Sequence, residues 1–109
     1  MELRQPDSRY PDLTADQPYV VIGIEANDYR ILNDLGRPFL YPPDLFEVID
    51  PREPAEWVQE VGEDDERYAY PPPLQETGFF EDFFDAKQEA VTTFWRIVNR
   101  QLATAATAA

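Results

Sequence analysis

The chain has 109 residues, with 22 acidic residues, nine basic residues, no histidine and no cysteine. This length fits one domain, residues 1–109. The composition excludes disulfides, thiolate metal sites and a histidine proton shuttle at neutral pH. We therefore expect that the protein is not an enzyme and needs no metal and no cofactor.

The net charge is −13, and the acidic residues are concentrated in one part of the chain. Residues 44–89 contain fifteen of the 22 acidic residues but three of the nine basic ones. A surface of this sign repels nucleic-acid phosphates and anionic membranes. Two interpretations remain: an acidic face that steers the protein towards a basic partner, and a charged surface that only confers solubility.

Neither a membrane span nor a secretion signal is visible in the sequence. The apolar runs fall short of the roughly 18 residues that a membrane helix needs. Residues 1–12 lack the apolar core of a signal peptide. We therefore expect a cytoplasmic protein.

The N-terminal residues are polar and show no periodicity, and they include Pro6 and Pro11. We expect a loose arm over residues 1–12. The strand signal begins after the arm, where residues 19–24 are β-branched and aromatic apart from Gly23. A glycine inside a strand predicts a bulge or the close approach of another group to the backbone.

Two further short strands are predicted at residues 28–32 and 38–41, and the segments between them are rich in Asn, Asp and Gly. Short strands at this spacing are typical of a tightly wound antiparallel sheet or a small barrel. We place this sheet core at residues 13–50.

Residues 13–50 resemble the later part of an SH3-like barrel. Residues 13–22 are similar to the diverging turn and the following strand of that family, and residues 28–32 (DYRIL) to its acidic-Trp-Trp strand. Gly36 falls at the distal hairpin. Residues 42–48 (PPDLFEV) resemble the Pro-x-Asn-Tyr-Val motif, a 3₁₀ turn that leads into the last strand. The resemblance implies a barrel or a partial barrel.

SH3 domains bind proline-rich peptides in an aromatic groove, but the residues of that groove are not retained in this chain. Leu45 lies at the position of the groove tyrosine, and Tyr29 lies at that of the groove tryptophan. No counterpart of the family's first strand precedes Leu13. We therefore expect that the chain does not recognise proline-rich peptides in the SH3 manner.

Residues 51–78 are predicted to form an acidic hairpin and a proline-rich connection. The predicted strands are residues 56–61 and 67–70, and the loop GEDDE at residues 62–66 joins them. The loop lacks the ligand spacing of an EF-hand, so we interpret it as a solvated turn rather than a calcium site.

A helical segment is predicted at residues 79–102, followed by a frayed tail at residues 103–109. Asp85 and Gln88 have the spacing of a capping box, which predicts a main helix over residues 86–102. An apolar stripe with helical period should pack across the sheet and bury Trp95. The stripe consists of Val91, Phe94, Trp95, Val98 and Leu102.

Four phenylalanines precede the main helix, and they cannot all point the same way. Either some of them are exposed or the segment forms a separate turn. An exposed pair would suit a partner-binding site or a dimer interface. The four are Phe79, Phe80, Phe83 and Phe84.

The predicted fold class is therefore α+β: a small, strongly bent antiparallel sheet or SH3-like partial barrel, with a C-terminal amphipathic helix packed on it. No catalytic motif is recognisable, so two classes of function remain. One is an acidic interaction module, such as an immunity or inhibitor protein that covers a basic partner, for example a nuclease. The other is a structural or regulatory accessory domain that uses the Phe-rich segment or the sheet edge, with acidity serving solubility only.

The partner predicted for the first class is a protein with a basic surface, with no nucleic acid and no membrane involved. A homodimer is left open. Aromatic residues within the acidic segment could anchor such a partner, while the carboxylates steer it. The candidate partner-binding residues are Trp57, Glu63, Asp64, Asp65, Glu66, Tyr68, Tyr70, Phe79 and Phe80.

Overall fold

The long strand β2, Pro18–Glu25, is the centre of the fold. In the computed structural model, which describes residues 1–4 and 10–108, it has neighbours on both edges. Strand β3, Asp28–Leu32, runs antiparallel along one edge. On the other edge, β1 (Glu2–Arg4) pairs with the first half of β2, and β7 (Arg67–Tyr70) pairs with the second half. Strand β2 therefore joins two parts of one sheet.

Three further strands complete the sheet and form its edges. Strand β4, Pro38–Tyr41, pairs with β3. Strand β5, Glu47–Asp50, follows a 3₁₀ turn at Pro43–Leu45 and pairs with β1. Strand β6, Val58–Val61, pairs with β7. Within the described ranges β4, β5 and β6 each have one neighbouring strand, so the antiparallel sheet is not closed.

Two helices follow the sheet, so the α+β class is confirmed. Helix α1, Phe79–Phe84, is short, and helix α2, Gln88–Ala108, is long. The main helix was expected to begin at Ala86 behind a capping box. Instead, Asp85 ends α1 and donates its backbone N–H to the Glu81 carbonyl, and Ala86 has a φ of 58°. The Phe-rich segment is thus the separate turn that its composition allowed.

The described residues of both chain ends contain regular secondary structure, where the sequence predicted a loose arm and a frayed tail. Residues 2–4 of the arm form β1, which lies between β2 and β5. Helix α2 continues to Ala108. Residues 5–9 of the arm and residue 109 of the tail lie outside the described residues. The pairing of β1 is non-local, so the composition of the arm could not indicate it.

Two apolar cores lie on opposite faces of the sheet, because successive residues of a strand point to opposite sides. The first core includes Val21, Ile31 and Trp57, and the second includes Ile22, Phe94 and Val98. Helix α2 therefore packs across β2, as its periodicity predicted.

The buried face of α2 differs in detail from the predicted stripe. Trp95 is half-buried rather than buried, and Leu102 is exposed. Ile97, which the predicted stripe omitted, is buried beside Phe94 and Val98. The burial prediction for Trp95 was wrong because the face that meets the sheet is rotated towards Ala90 and Ile97.

Gly23 has the role that its position in the strand predicted. The register between β2 and β3 shifts between Val21 and Gly23, which marks a bulge. A Cβ atom at Gly23 would overlap the ring of Tyr70 on β7. The missing side chain therefore makes room for an aromatic ring at the centre of the sheet.

The turn between β2 and β3 is tied to β7 by one residue, Asn27. Ala26 and Asn27 both have positive φ, 49° and 70°, as in the two-residue turns that match the twist of a hairpin. Asn27 donates its backbone N–H to the Arg67 carbonyl over 3.0 Å, and its side-chain oxygen accepts from the Arg67 N–H over 2.8 Å. The contact fixes the order of strands at this end of the sheet.

We predict that Gly23→Ala lowers the free energy of unfolding by about 2–3 kcal/mol, because the new methyl group overpacks against Tyr70. Urea denaturation measures the change. Gly36→Ala is the control: Gly36 has a φ of 74°, but a Cβ atom added there would meet no heavy atom within 4 Å. That substitution should cost about 1 kcal/mol, the strain of the backbone alone. Equal losses in the two variants would contradict the close approach at Gly23.

Candidate functional site

An open cleft of about 500 Å³ lies at the β4 edge of the sheet. We call it the β4 cleft. Its walls come from strands β3 and β4, from the loop that precedes β2, and from helix α1. Four of its seven lining residues are aromatic, and two are charged. The lining residues are Tyr10, Asp12, Arg30, Phe39, Leu40, Tyr41 and Phe84.

Two phenylalanines are exposed side by side on the wall of the β4 cleft. Phe39 of β4 is 40% exposed and Phe84 of α1 is 42% exposed. Their ring centroids are 6.0 Å apart. Phe84 is held in place by the rings of Phe80 and Phe83, which lie against Phe94 of α2. Exposed aromatic side chains that are rigidly supported are typical of binding surfaces.

Asp12 brings a carboxylate into the lining of the β4 cleft. Its Oδ2 accepts hydrogen bonds from the Tyr41 hydroxyl over 2.7 Å and from the Asn33 amide over 3.2 Å. Its Oδ1 is buried, and no donor in the described part of the chain reaches it. Buried carboxylate oxygens normally have donors. Within the described residues, one oxygen of this carboxylate therefore has no hydrogen-bond donor.

The neighbouring carboxylate, Asp34, provides a contrast. Its Oδ1 accepts from the Tyr19 hydroxyl over 2.6 Å, and its Oδ2 accepts from the Thr14 hydroxyl over 2.7 Å. The Asp34 backbone N–H donates to the Asp12 carbonyl over 2.9 Å, which ties the two loops together. Both oxygens of Asp34 have donors, whereas Asp12 Oδ1 has none among the described residues.

Arg30 lines the β4 cleft but is largely buried, with 5% of the residue exposed. Its Nε donates to the Tyr70 hydroxyl over 2.6 Å, its Nη1 to the Pro38 carbonyl over 2.7 Å, and its Nη2 to Glu25 over 3.1 Å. Its central carbon lies 3.8 Å from the centroid of the Phe80 ring. One side chain thus connects strands β2, β3, β4 and β7 to helix α1.

The acidic segment of the chain keeps its negative charge in the folded protein. Each of its three basic residues contacts an acidic residue of the same segment, in the pairs Arg52 and Asp50, Arg67 and Glu53, and Lys87 and Asp82. Hydrogen bonds from Arg52 hold the pKa of the Asp50 carboxyl well below its usual range. Since three cations face fifteen carboxylates, the segment stays strongly anionic.

Three of the aromatic residues predicted to bind a partner lie in the cores. Trp57 and Tyr70 are each 4% exposed, and Phe79 is 8% exposed. Phe80 is half-buried and covers Arg30. Tyr68 is half-buried on β7, at the opposite side of the sheet from β4. These side chains support the fold and offer little surface to a partner.

The predicted acidic residues lie together in the turn between β6 and β7. Glu63, Asp64 and Asp65 are exposed. Glu66 folds back, and its carboxylate accepts from the Asp64 backbone N–H over 2.9 Å and from the Tyr68 hydroxyl. We call residues 62–66 the acidic turn. The acidic turn joins β6 to β7, whereas the β4 cleft lies along β4; β7 and β3 pair with opposite edges of β2, so the two features lie on different sides of that strand.

Sequence reasoning missed the residues that line the cleft. Tyr10 and Asp12 belong to the expected loose arm, where no pattern singles them out. Phe84 is one of the four phenylalanines flagged for exposure, and composition alone could not select it. Nothing in the sequence distinguished Phe39 from the other apolar residues of the predicted strand at residues 38–41.

Neither a metal centre nor a membrane span is found in the described ranges, 1–4 and 10–108. No group of three or more acidic side chains there could hold a metal ion. No helix in those ranges is both long enough and apolar enough to cross a bilayer.

Comparisons with protein-family models, with curated proteins and with solved structures gave no match for this chain. The geometry of the β4 cleft and the charge of the chain are accordingly the observations from which a function can be proposed.

We predict that the protein loses stability above about pH 10 and that Tyr41 causes part of the loss. Burial of the phenol raises the pKa of Tyr41 above its usual value of 10.0. The unfolded chain then releases this proton at a lower pH than the folded protein, so the free energy of unfolding falls as pH rises. Tyr41→Phe should flatten this fall by up to about 1.4 kcal/mol per pH unit. Urea unfolding between about pH 9 and 11 measures it. Equal slopes for both proteins would contradict the assignment.

Proposed function

We propose that the chain is an acidic protein–protein interaction module that binds a partner with a basic surface and covers it. The observation that carries the proposal is the exposed pair of rings, Phe39 and Phe84, in a cleft that also contains the Asp12 carboxylate. Immunity and inhibitor proteins against nucleases act in this way, by blocking a basic surface sterically. A protein of this class needs no catalytic group.

Charge and apolar contact have separate roles in this proposal. A net charge of −13 attracts a cationic partner over a long range and raises the rate of encounter, by about 10-fold or more at low salt. Salt screens this attraction, with a Debye length of about 10 Å at 0.1 M. Affinity then depends on a few well-packed anchors, for which rigid aromatic side chains are favoured. The β4 cleft supplies the anchor, and the acidic turn contributes to the field.

The partner is a different protein rather than a second copy of this chain. Two copies that each carry a charge of −13 repel one another. The basic residues within residues 44–89 are already engaged with acidic neighbours, so they offer little cationic surface to a second copy. A basic protein, of which a nuclease is the example we favour, complements this charge.

A second candidate function uses the same cleft but does not depend on the negative charge of the chain. In this alternative, the chain is a structural or regulatory accessory domain that docks through the sheet edge and the Phe-rich segment. The adjacency of Phe39 on β4 and Phe84 on α1 favours it, because the pair belongs to both features. The open sheet is compatible with a partial barrel, and we keep the SH3-like relationship as part of this proposal. The two functions differ in their dependence on salt.

We predict that affinity capture from the native host retains a basic protein and that Phe39→Ser/Phe84→Ser reduces its affinity by about 30-fold or more, because the anchor is lost. A second variant, Glu63→Gln/Asp64→Asn/Asp65→Asn, should slow association several-fold at low salt and leave dissociation unchanged. Biolayer interferometry at two salt concentrations measures both rates.

Leu35→Ser is the matched control, since Leu35 is 75% exposed and does not line the cleft. This variant should bind as the wild type does. If the loss in the Phe variant were independent of salt and the partner were not basic, the accessory-domain function would be correct. If the affinity for the partner were the same in the Phe variant and at both salt concentrations, neither function would use this cleft.

A further inference from the structure

A second cavity, of about 210 Å³, lies between helix α2 and the sheet. We call it the α2 pocket. Val20 and Ile22 are two residues apart on β2, so they point to the same face of the sheet, the one on which α2 packs. Val98 and Leu102 are about one helical turn apart on α2 and line the pocket from the other side. The pocket is therefore walled mainly by aliphatic side chains.

The α2 pocket is apolar at its floor and carries a carboxylate at its rim. Ile22 and Val98 are buried, whereas Leu102 is exposed. Asp34, two residues after the end of β3, also lines the pocket and is exposed. The pocket thus offers an aliphatic surface that ends at a carboxylate accessible to solvent.

The Asp34 carboxylate is held in position by neutral donors. Its Oδ1 accepts from the Tyr19 hydroxyl over 2.6 Å, and its Oδ2 accepts from the Thr14 hydroxyl over 2.7 Å. Each oxygen of a carboxylate can accept more than one hydrogen bond. The bond between Thr14 and Asp34 is itself exposed, so a ligand can approach Oδ2 from outside. Asp34 is therefore an oriented acceptor that a cationic donor can reach.

An aliphatic surface beside an exposed carboxylate favours an ammonium group on an alkyl stem. Lysine buries its methylene groups along apolar surface and keeps its charged end in water. A guanidinium gains from an aromatic face on which to stack. Tyr19 is the aromatic residue that lines this pocket in the described part of the chain, and it is buried. The α2 pocket therefore suits lysine better than arginine.

The α2 pocket and the β4 cleft are neighbours. The Asp34 backbone N–H donates to the Asp12 carbonyl over 2.9 Å, and Asp12 lines the β4 cleft. Residues that line the two cavities are thus in direct contact.

We propose that the α2 pocket receives a lysine side chain, whose methylene stem lies over Ile22 and Val98 and whose ammonium donates to the Asp34 carboxylate. The inference rests on the proposed function in one respect: the lysine belongs to the basic partner, whose positive charge complements the net charge of −13. The β4 cleft and the α2 pocket are then two separate contacts of one interface.

The test uses three small probes with the wild-type protein: the N-acetyl methylamides of lysine, ornithine and Nε-acetyllysine. Ornithine has the same charge on a stem that is one methylene shorter, and Nε-acetyllysine has the full stem without the charge. NMR titration with the lysine probe should shift the amides of Val20, Asp34 and Leu102 saturably. The ornithine probe should bind about three- to fourfold more weakly, because one methylene fewer is buried. The neutral probe should bind about threefold more weakly, because the exposed ion pair is lost.

Two isosteric variants locate the acceptor. Asp34→Asn and Asp64→Asn each remove one negative charge, but Asp64 belongs to the acidic turn and does not line the pocket. Asp34→Asn should weaken the lysine probe by about threefold and remove its advantage over the neutral probe. Asp64→Asn, the matched control, should bind the lysine probe as the wild type does. Thermal unfolding checks both folds, and the comparison of lysine with ornithine in the wild type is decisive even if Asp34→Asn is unstable.

The outcomes separate this inference from the proposed function. Equal affinity for lysine and ornithine, equal affinity for lysine and its neutral analogue, or wild-type affinity in a folded Asp34→Asn variant would overturn the lysine site. Capture of a basic protein that depends on Phe39 and Phe84 would still stand in those cases. Conversely, if the lysine probe bound as predicted and no basic protein were captured, the site would be correct and the proposed function wrong.

Discussion

The buried guanidinium of Arg30 is the contact on which the candidate site depends. It donates to Tyr70, Pro38 and Glu25 and lies against the ring of Phe80. Arg30 is 5% exposed, and a buried charge is unfavourable unless hydrogen-bond partners compensate it, so the position of the guanidinium depends on these contacts. A six-residue helix such as α1 is too short to be stable alone. Its position beside β4 therefore comes from tertiary contacts of this kind, and Gly23 makes room for the Tyr70 ring that completes them.

Much of the sheet could be predicted from the sequence, because the signals that specify short strands are local. Strands β3, β4 and β7 begin and end where the apolar runs and the turn residues between them indicated. The 3₁₀ turn at Pro43–Leu45 and the bulge at Gly23 were equally visible. Strand β1 was missed, because three residues in a polar arm give no local signal and their pairing with β2 and β5 is non-local.

The candidate site was harder to predict, since it depends on which side chains face inwards. The sequence located the acidic segment and flagged exposed phenylalanines, but it could not distinguish buried Phe79 from exposed Phe84. The same limit applies to Trp57 and to Arg30, an aromatic and a charged residue that are both buried. Whether a polar residue is buried depends on partners that are distant in the chain. The contacts of Asp12 with Tyr41 and Asn33 form only in the folded protein, so no spacing in the sequence predicts them.

The central claim is that the β4 edge, and not the acidic turn, is the surface that contacts the partner. Hydrogen exchange measured with and without the captured basic protein tests it most directly. The account predicts that the backbone amides of Phe39, Leu40 and Tyr41, and those of helix α1, exchange more slowly in the complex. It predicts little change at residues 62–66. Protection confined to residues 62–66, with unchanged exchange at β4 and α1, would contradict the account.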